Sequence, residues 1–190
     1  MKYKISEIFT SIQGEGINTG CPALFIRFAE CNLGCVFCDT TKKDEFKEYE
    51  LKDIYESALE AKQRLVILTG GEPMLQLDYE LLVMLRGLGY KVAVETNGTI
   101  KAVYDTVLID HLTVSPKPDS VLVQTSGTEI KVLYPLKGIK PADYERMDFK
   151  YFYIQPVWGQ KGSLQACIKF CLANPFWRLS CQVHKYIGVE

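Results

Sequence analysis

No apolar run in the 190-residue chain approaches the ~20 residues that cross a bilayer. The opening residues, MKYKISEIF, hold neither the apolar core nor the small-residue cleavage site of a secretory signal. No charge of either sign dominates: 22 basic and 23 acidic residues leave a formal net charge of −1. That balance excludes the broad electrostatic footprint of a nucleic-acid or anionic-membrane binder, and leaves open a local basic pocket for a small anion. Repeats, low-complexity tracts and linkers are missing too, so residues 1–190 are expected to form one domain. With 47% apolar residues it can bury a sizeable core. A soluble cytoplasmic protein with no nucleic-acid partner and no membrane partner is expected.

Cysteine, by contrast, is plentiful: there are seven. The count is odd, and a chain of this length needs no staples, which argues against a disulfide framework. Cys167 and Cys171 sit four apart in SLQACIKFCLA, share a helical face, and read as buried small hydrophobes. Cys31, Cys35 and Cys38 crowd into AECNLGCVFCDT. Zinc ribbons and fingers pair CxxC elements to reach four ligands. A c-type haem site needs histidine where Asp39 stands. Three thiolates on a 4Fe–4S cluster would leave one iron free to bind a substrate or cofactor. A structural zinc site, with a fourth thiolate from Cys21 or elsewhere, is the alternative.

Short β-branched runs alternate with helical patterns. Strands are expected at 22–28, 65–71, 91–99, 107–117, 128–134 and 151–157, and helices at 51–62, 77–89, 142–147 and 163–174. The first 16 residues read as an added strand and loop. Solid hydrophobic strands alternating with helices imply an α/β fold, a parallel sheet forming a partial, open (β/α)6-type barrel with an N-terminal extension. Chemistry in such a fold gathers at the C-terminal ends of the strands. Cys31, Thr69 to Pro73, Glu95 to Thr99, Ser115 to Lys117, and Gln155 with Pro156 all fall there.

Each motif also has a plain reading. The glycines of LTGGEP either make a turn or let the backbone approach a ligand closely. SIQGEG alone is a solvated turn. Arg27, inside the apolar strand FIRF, needs a partner: a bound carboxylate, or an internal salt bridge with Glu15 or Glu95. Thr40 is an N-cap or a hard oxygen for Mg²⁺. Glu95 in VETNGT is a turn residue or an acceptor for heterocycle N–H groups. His184 and His111 alone read as satisfied polar residues.

Taken together, the cysteine spacing and LTGGEP resemble the radical S-adenosylmethionine (SAM) superfamily. SIQGEG, the Arg27 strand, CDT, SPK, IQPV and LSCQVHKYIGVE extend the resemblance through most of the chain to the 7-carboxy-7-deazaguanine synthase family. The resemblance implies a radical SAM core and a lyase of queuosine (7-deazapurine) biosynthesis. In that family a Mg²⁺-assisted radical rearrangement contracts the ring of 6-carboxy-5,6,7,8-tetrahydropterin. The product is 7-carboxy-7-deazaguanine, ammonia is lost, and SAM is used catalytically. Cys31, Cys35 and Cys38 would hold the 4Fe–4S cluster, and Thr40 would bind Mg²⁺. Phe37, Cys38, Asp39, Gly71, Ser115, Pro116, Lys117, Gln155 and Pro156 would line the SAM site. Ile12, Gln13, Gly14, Glu15, Arg27, Thr69, Glu95, His184 and the main chain of Glu190 would hold the substrate. A flavodoxin-like electron donor and a homodimer are also implied. The chain departs from the family pattern at Glu30, where glycine is common, in a short stretch between Lys117 and Thr128, and at its final glutamate, where many members end in proline. Two rivals stand beside this reading: another radical SAM enzyme, such as a glycyl-radical activase, and a zinc-stabilised binding module without catalysis.

Overall fold

Nine strands form one sheet in the computed structural model, which describes residues 2–38, 45–103 and 107–190. The strands are β1 (Lys2–Ile12), β2 (Pro22–Phe28), β3 (Lys47–Glu50), β4 (Leu65–Gly70), β5 (Lys91–Thr96), β6 (His111–Val114), β7 (Ser126–Tyr134), β8 (Asp148–Pro156) and β9 (Arg178–Leu179). Their spatial order is β3-β1-β2-β4-β5-β6-β7-β8-β9, a linear order that leaves the sheet open. From β2 to β9 every neighbouring pair is parallel, while β1 runs antiparallel to both β2 and β3. The six expected strands are β2 and β4 to β8, and the N-terminal extension is β1 with its following loop.

Among the described residues four α-helices accompany the sheet: α1 (Leu51–Glu60), α2 (Tyr79–Gly87), α3 (Ser163–Ala173) and α4 (Val183–Ile187). A reciprocal cap starts α1: Glu50 accepts from the backbone of Asp53, and Asp53 accepts from Glu50 N at 2.7 Å. Asp78 caps α2 by accepting from Leu81 N at 2.9 Å. The helix expected at 142–147 is instead a 3-10 turn at Pro141–Tyr144. Among the described residues no α-helix lies between β5 and β6 or between β6 and β7. Three short elements escaped the sequence reading. β3 is KEYE, with no apolar alternation; β9 has two residues; α4 has five and ends at Gly188 in the left-handed region (φ 72). No helix among the described residues is long and apolar enough to cross a membrane.

The period of two along each strand divides the core. One face sends Leu24, Ile26, Val66, Leu68, Val92 and Val94 into the large cluster under the helices. The opposite face carries Ala23, Phe25, Ile67 and Ala93, a small apolar floor extended by Phe9 and Leu65. Toward the strand ends this second face turns polar: Arg27 lies beside Thr69, and Glu95 beside Thr113, which lies beside Glu129. Along β7 the same alternation puts Glu129, Lys131 and Leu133 on one side.

Candidate active site

The three clustered cysteines sit on the loop that leaves β2, at the C-terminal edge of the sheet. All three line a single cavity of about 500 Å³, within the range of small-molecule sites. Cys38 N donates to Cys35 O at 3.2 Å, closing the turn. The Cys31 sulfur accepts from Leu33 N at 3.4 Å and faces Asn97 Nδ2 at 3.9 Å. Such N–H donors suit an anionic thiolate and help set the potential of a thiolate-bound cluster. Cys21 cannot join this group: it precedes β2 while Cys31 follows it, and seven residues at about 3.3 Å each separate them by roughly 20 Å. The three thiols share a wall rather than a point, and no three Cys, His, Asp or Glu side chains among the described residues are grouped tightly enough for one metal ion. Cys167 donates to Tyr134 O at 3.0 Å, and burial pushes its thiol up to about 12, so it is inert packing.

LTGGEP braces this loop from beneath. Gly71 N donates to Phe28 O and Glu72 N to Glu30 O, both at 2.9 Å. A Cβ on Gly71 would lie 1.8 Å from the Glu30 carbonyl oxygen, so only glycine fits. The Glu72 side chain is fully buried and accepts from Thr96 Oγ1 and Asn97 N at 2.7 Å and from Met74 N at 2.9 Å. Burial raises its carboxyl above the ordinary range, although these donors pull the other way. Glu72 thereby holds the VETNGT turn, and with it Asn97, against the cysteine loop.

The loop after β1 reaches across the inner face of the sheet. Gln13 Nε2 donates to Glu95 Oε1 at 2.8 Å, and Thr69 Oγ1 to Glu95 Oε2 at 3.4 Å. Glu15 pairs with Lys131 on β7 and accepts from Gln182 Nε2 at 2.9 Å. Lys131 also lies 3.8 Å from Glu95 Oε2. Gly16 N donates to Ser180 Oγ at 3.0 Å, and Ile17 N to Glu129 Oε2 at 3.0 Å. Burial alone would raise Glu15, but the Lys131 charge and the bonds from Lys131 and Gln182 bring it below the ordinary carboxylate range. Burial would depress Lys131, and its carboxylate neighbours, Glu15 first, hold it above the ordinary lysine value instead. This loop joins the strand added at one side of the sheet to β5, β7 and the segment before α4.

Most residues singled out from the sequence come together here. Ile12, Gln13, Glu15, Arg27, Thr69, Gly71 and Glu95 line the same cavity as the cysteines, as do Phe37, Ser115, Lys117, Gln155, His184 and Glu190. Gly14, Pro116 and Pro156 are buried outside its lining. Gly14 lies against α4: Val183 N donates to its oxygen at 2.9 Å, and a Cβ would come 2.1 Å from His184 Nδ1. Asp39 and Thr40 lie outside the described residues. The carbonyl oxygen of Glu190 accepts from Ser11 Oγ.

Two pairings differ from expectation. Arg27 bonds neither Glu15 nor Glu95; its Nε donates to Glu7 Oε2 at 3.0 Å, and its guanidinium lies 5.6 Å from the centre of the Phe9 ring. β1 pairs with β2 in a register that sets Glu7 beside Arg27, which no spacing within SIQGEG discloses. His111 is not fully satisfied: its buried Nε2 has no hydrogen bond, although Glu129 Oε2 lies at 3.5 Å. Sequence reasoning also missed Glu7, Lys131 and Gln182. Lys131 was legible, since a charge within the apolar run TEIKVLY is the signal that exposed Arg27.

A strand-end loop with three thiols, a glycine cradle beneath it and a polar inner sheet face define a radical SAM enzyme, and residues 25–117 match the model of the Radical SAM superfamily. Over the whole of both chains, this protein is 40% identical to the 7-carboxy-7-deazaguanine synthases of Caulobacter vibrioides and Burkholderia multivorans, and to that of Bacteroides thetaiotaomicron. The solved structure of QueE from Escherichia coli superposes with a TM-score of 0.78 at 27% identity, covering 95% of this chain and 94% of that one. The chain belongs to the 7-carboxy-7-deazaguanine synthase family.

Proposed function

We propose that this protein converts 6-carboxy-5,6,7,8-tetrahydropterin to 7-carboxy-7-deazaguanine, with Mg²⁺ assistance, loss of ammonia and catalytic use of SAM. One observation carries the reading: the cysteine loop and two partly buried carboxylates, Glu15 and Glu95, line the same cavity. Cys31, Cys35 and Cys38 would hold a 4Fe–4S cluster, whose open iron and bound SAM supply the radical chemistry. The chain's own residues orient the substrate. Ionised carboxylates are acceptors only, so Glu95, braced by Gln13 and Thr69, suits the N–H edge of a pterin. Arg27 bonds Glu7 through Nε, which is one of five guanidinium donors; a substrate carboxylate is the natural partner for the rest. The backbone at Gly71 and the SPK turn, where Lys117 Nζ donates to Ser115 O at 2.8 Å, face the cavity for SAM. Thr40, two residues after Cys38 in the chain, would bind Mg²⁺. The same reading includes a flavodoxin-like electron donor, a homodimer and a cytoplasmic setting.

Anaerobic incubation with 6-carboxytetrahydropterin, SAM, Mg²⁺ and a reductant tests it. The expected product has the mass of 7-carboxy-7-deazaguanine, and it disappears in Cys35→Ala. A cluster-loaded protein that cleaves SAM without yielding this product contradicts the substrate assignment.

A further inference from the structure

Lys131 is 5% exposed, and no part of the proposed substrate binding requires it. Its ammonium pairs with Glu15 and lies 3.8 Å from Glu95, two carboxylates that come from different parts of the chain and line one cavity. Two carboxylates in a shared, partly dry site do not both stay ionised without an interposed cation; one of them takes up a proton. A protonated carboxyl offers a donor as well as acceptors and loses its selectivity for N–H groups. Each carboxylate is also held from its far side, Glu15 by Gln182 and Glu95 by Gln13, so the lysine works on groups whose positions are already fixed.

We infer that Lys131 is a positioning residue that keeps Glu15 and Glu95 both ionised, making this wall of the pocket an acceptor-only surface that selects a heterocycle rich in N–H donors. The inference rests on the proposed pterin substrate. Other charged or titratable groups lie around the pair, on neighbouring strands or along the cavity wall. Glu129 lies on β7, with His111 beside it on β6; Tyr153 pairs with Lys131 in register on β8. Arg27 and Glu7 lie on β2 and β1, Lys117 follows β6, and His184 and Lys185 lie on α4. These groups are present in both wild type and variant, so the difference between the two profiles isolates the carboxylates.

The test is the affinity of cluster- and SAM-loaded protein for 6-carboxypterin, an inert oxidised analogue, measured between about pH 5.5 and about pH 7.5. In Lys131→Met the affinity should fall at least ~10-fold at the acid end and recover as pH rises, because the carboxylate pair must then lose a proton to bind. Wild type and Lys131→Arg should lack this added dependence. The charge-balanced double variant Lys131→Met with Glu15→Gln should also lack it, and it keeps the test open if the single variant folds poorly. Parallel profiles for Lys131→Met and wild type overturn the inference while leaving the pterin substrate intact. A double variant that retains the steep dependence overturns it in the same way. Wild-type protein that does not bind 6-carboxypterin at any pH overturns the pterin substrate and this inference together.

Discussion

Glu30 holds its backbone at φ 67, a left-handed conformation that costs a side-chain-bearing residue about 1–2 kcal/mol. The fold requires it: the Glu30 carbonyl must turn back to accept from Glu72 N while the next residue delivers the first cysteine. Its side chain pairs with Lys4 at 2.6 Å, but both are well exposed, and such pairs contribute ~0–1 kcal/mol. Glu30→Gly should therefore be neutral or stabilise by up to ~1 kcal/mol, whereas Glu30→Val, branched at Cβ, should destabilise by about 2 kcal/mol or more. Thermal unfolding of the two variants checks this; a Val variant as stable as the Gly variant contradicts it. The position was legible as a departure from family pattern, but its meaning was not, because nothing in AECNL reveals the sign of a backbone angle. Arg27 shows the same limit. A charge within an apolar strand announces that a partner exists, and only strand register names Glu7.

At the scale of elements, the loop after β1 is a strap. It bonds Glu95 on β5, Lys131 and Glu129 on β7, and the stretch before α4, so one short segment spans strands that are neighbours neither in sequence nor in the sheet. SIQGEG looked like a solvated turn because its partners are far away along the chain; family resemblance pointed to it, and periodicity did not. The strap's central ion pair makes stability depend on pH. Glu15 has a depressed folded value, so its contribution is complete above the ordinary glutamate range and is lost as pH falls through the folded value. Lys131 has a raised folded value, so its contribution is complete below the ordinary lysine value and is lost as pH rises through the folded value. The pair should stabilise across the whole neutral range and weaken only toward either extreme. Unfolding temperatures compared between wild type and the Glu15→Gln, Lys131→Met double variant should show their difference narrowing in acid and in strong alkali. A difference that is constant with pH shows that the pair is not linked to folding.

For the whole molecule, the sheet sorts chemistry by face and by end. Apolar residues on one face pack under α1, α2 and α3; a smaller apolar cluster floors the other; the polar groups stand at the ends of the strands, beside the cysteine loop. The strands were readable because they are continuous hydrophobic runs. The site was partly readable because catalytic groups in this architecture fall at predictable strand ends. The crossovers were not: between β5 and β7 the described residues hold no α-helix, and α4, which brings His184 to the cavity, is five residues long. One cavity is proposed to serve both the cluster and the heterocycle. Anaerobic reconstitution followed by electron paramagnetic resonance of the reduced protein tests this most directly. The expected result is about four irons per chain, as a 4Fe–4S cluster requires, a spectrum that changes when SAM is added, and a further change when 6-carboxypterin follows. A protein that takes up one zinc per chain and no iron, or a cluster whose spectrum responds to neither molecule, would contradict it.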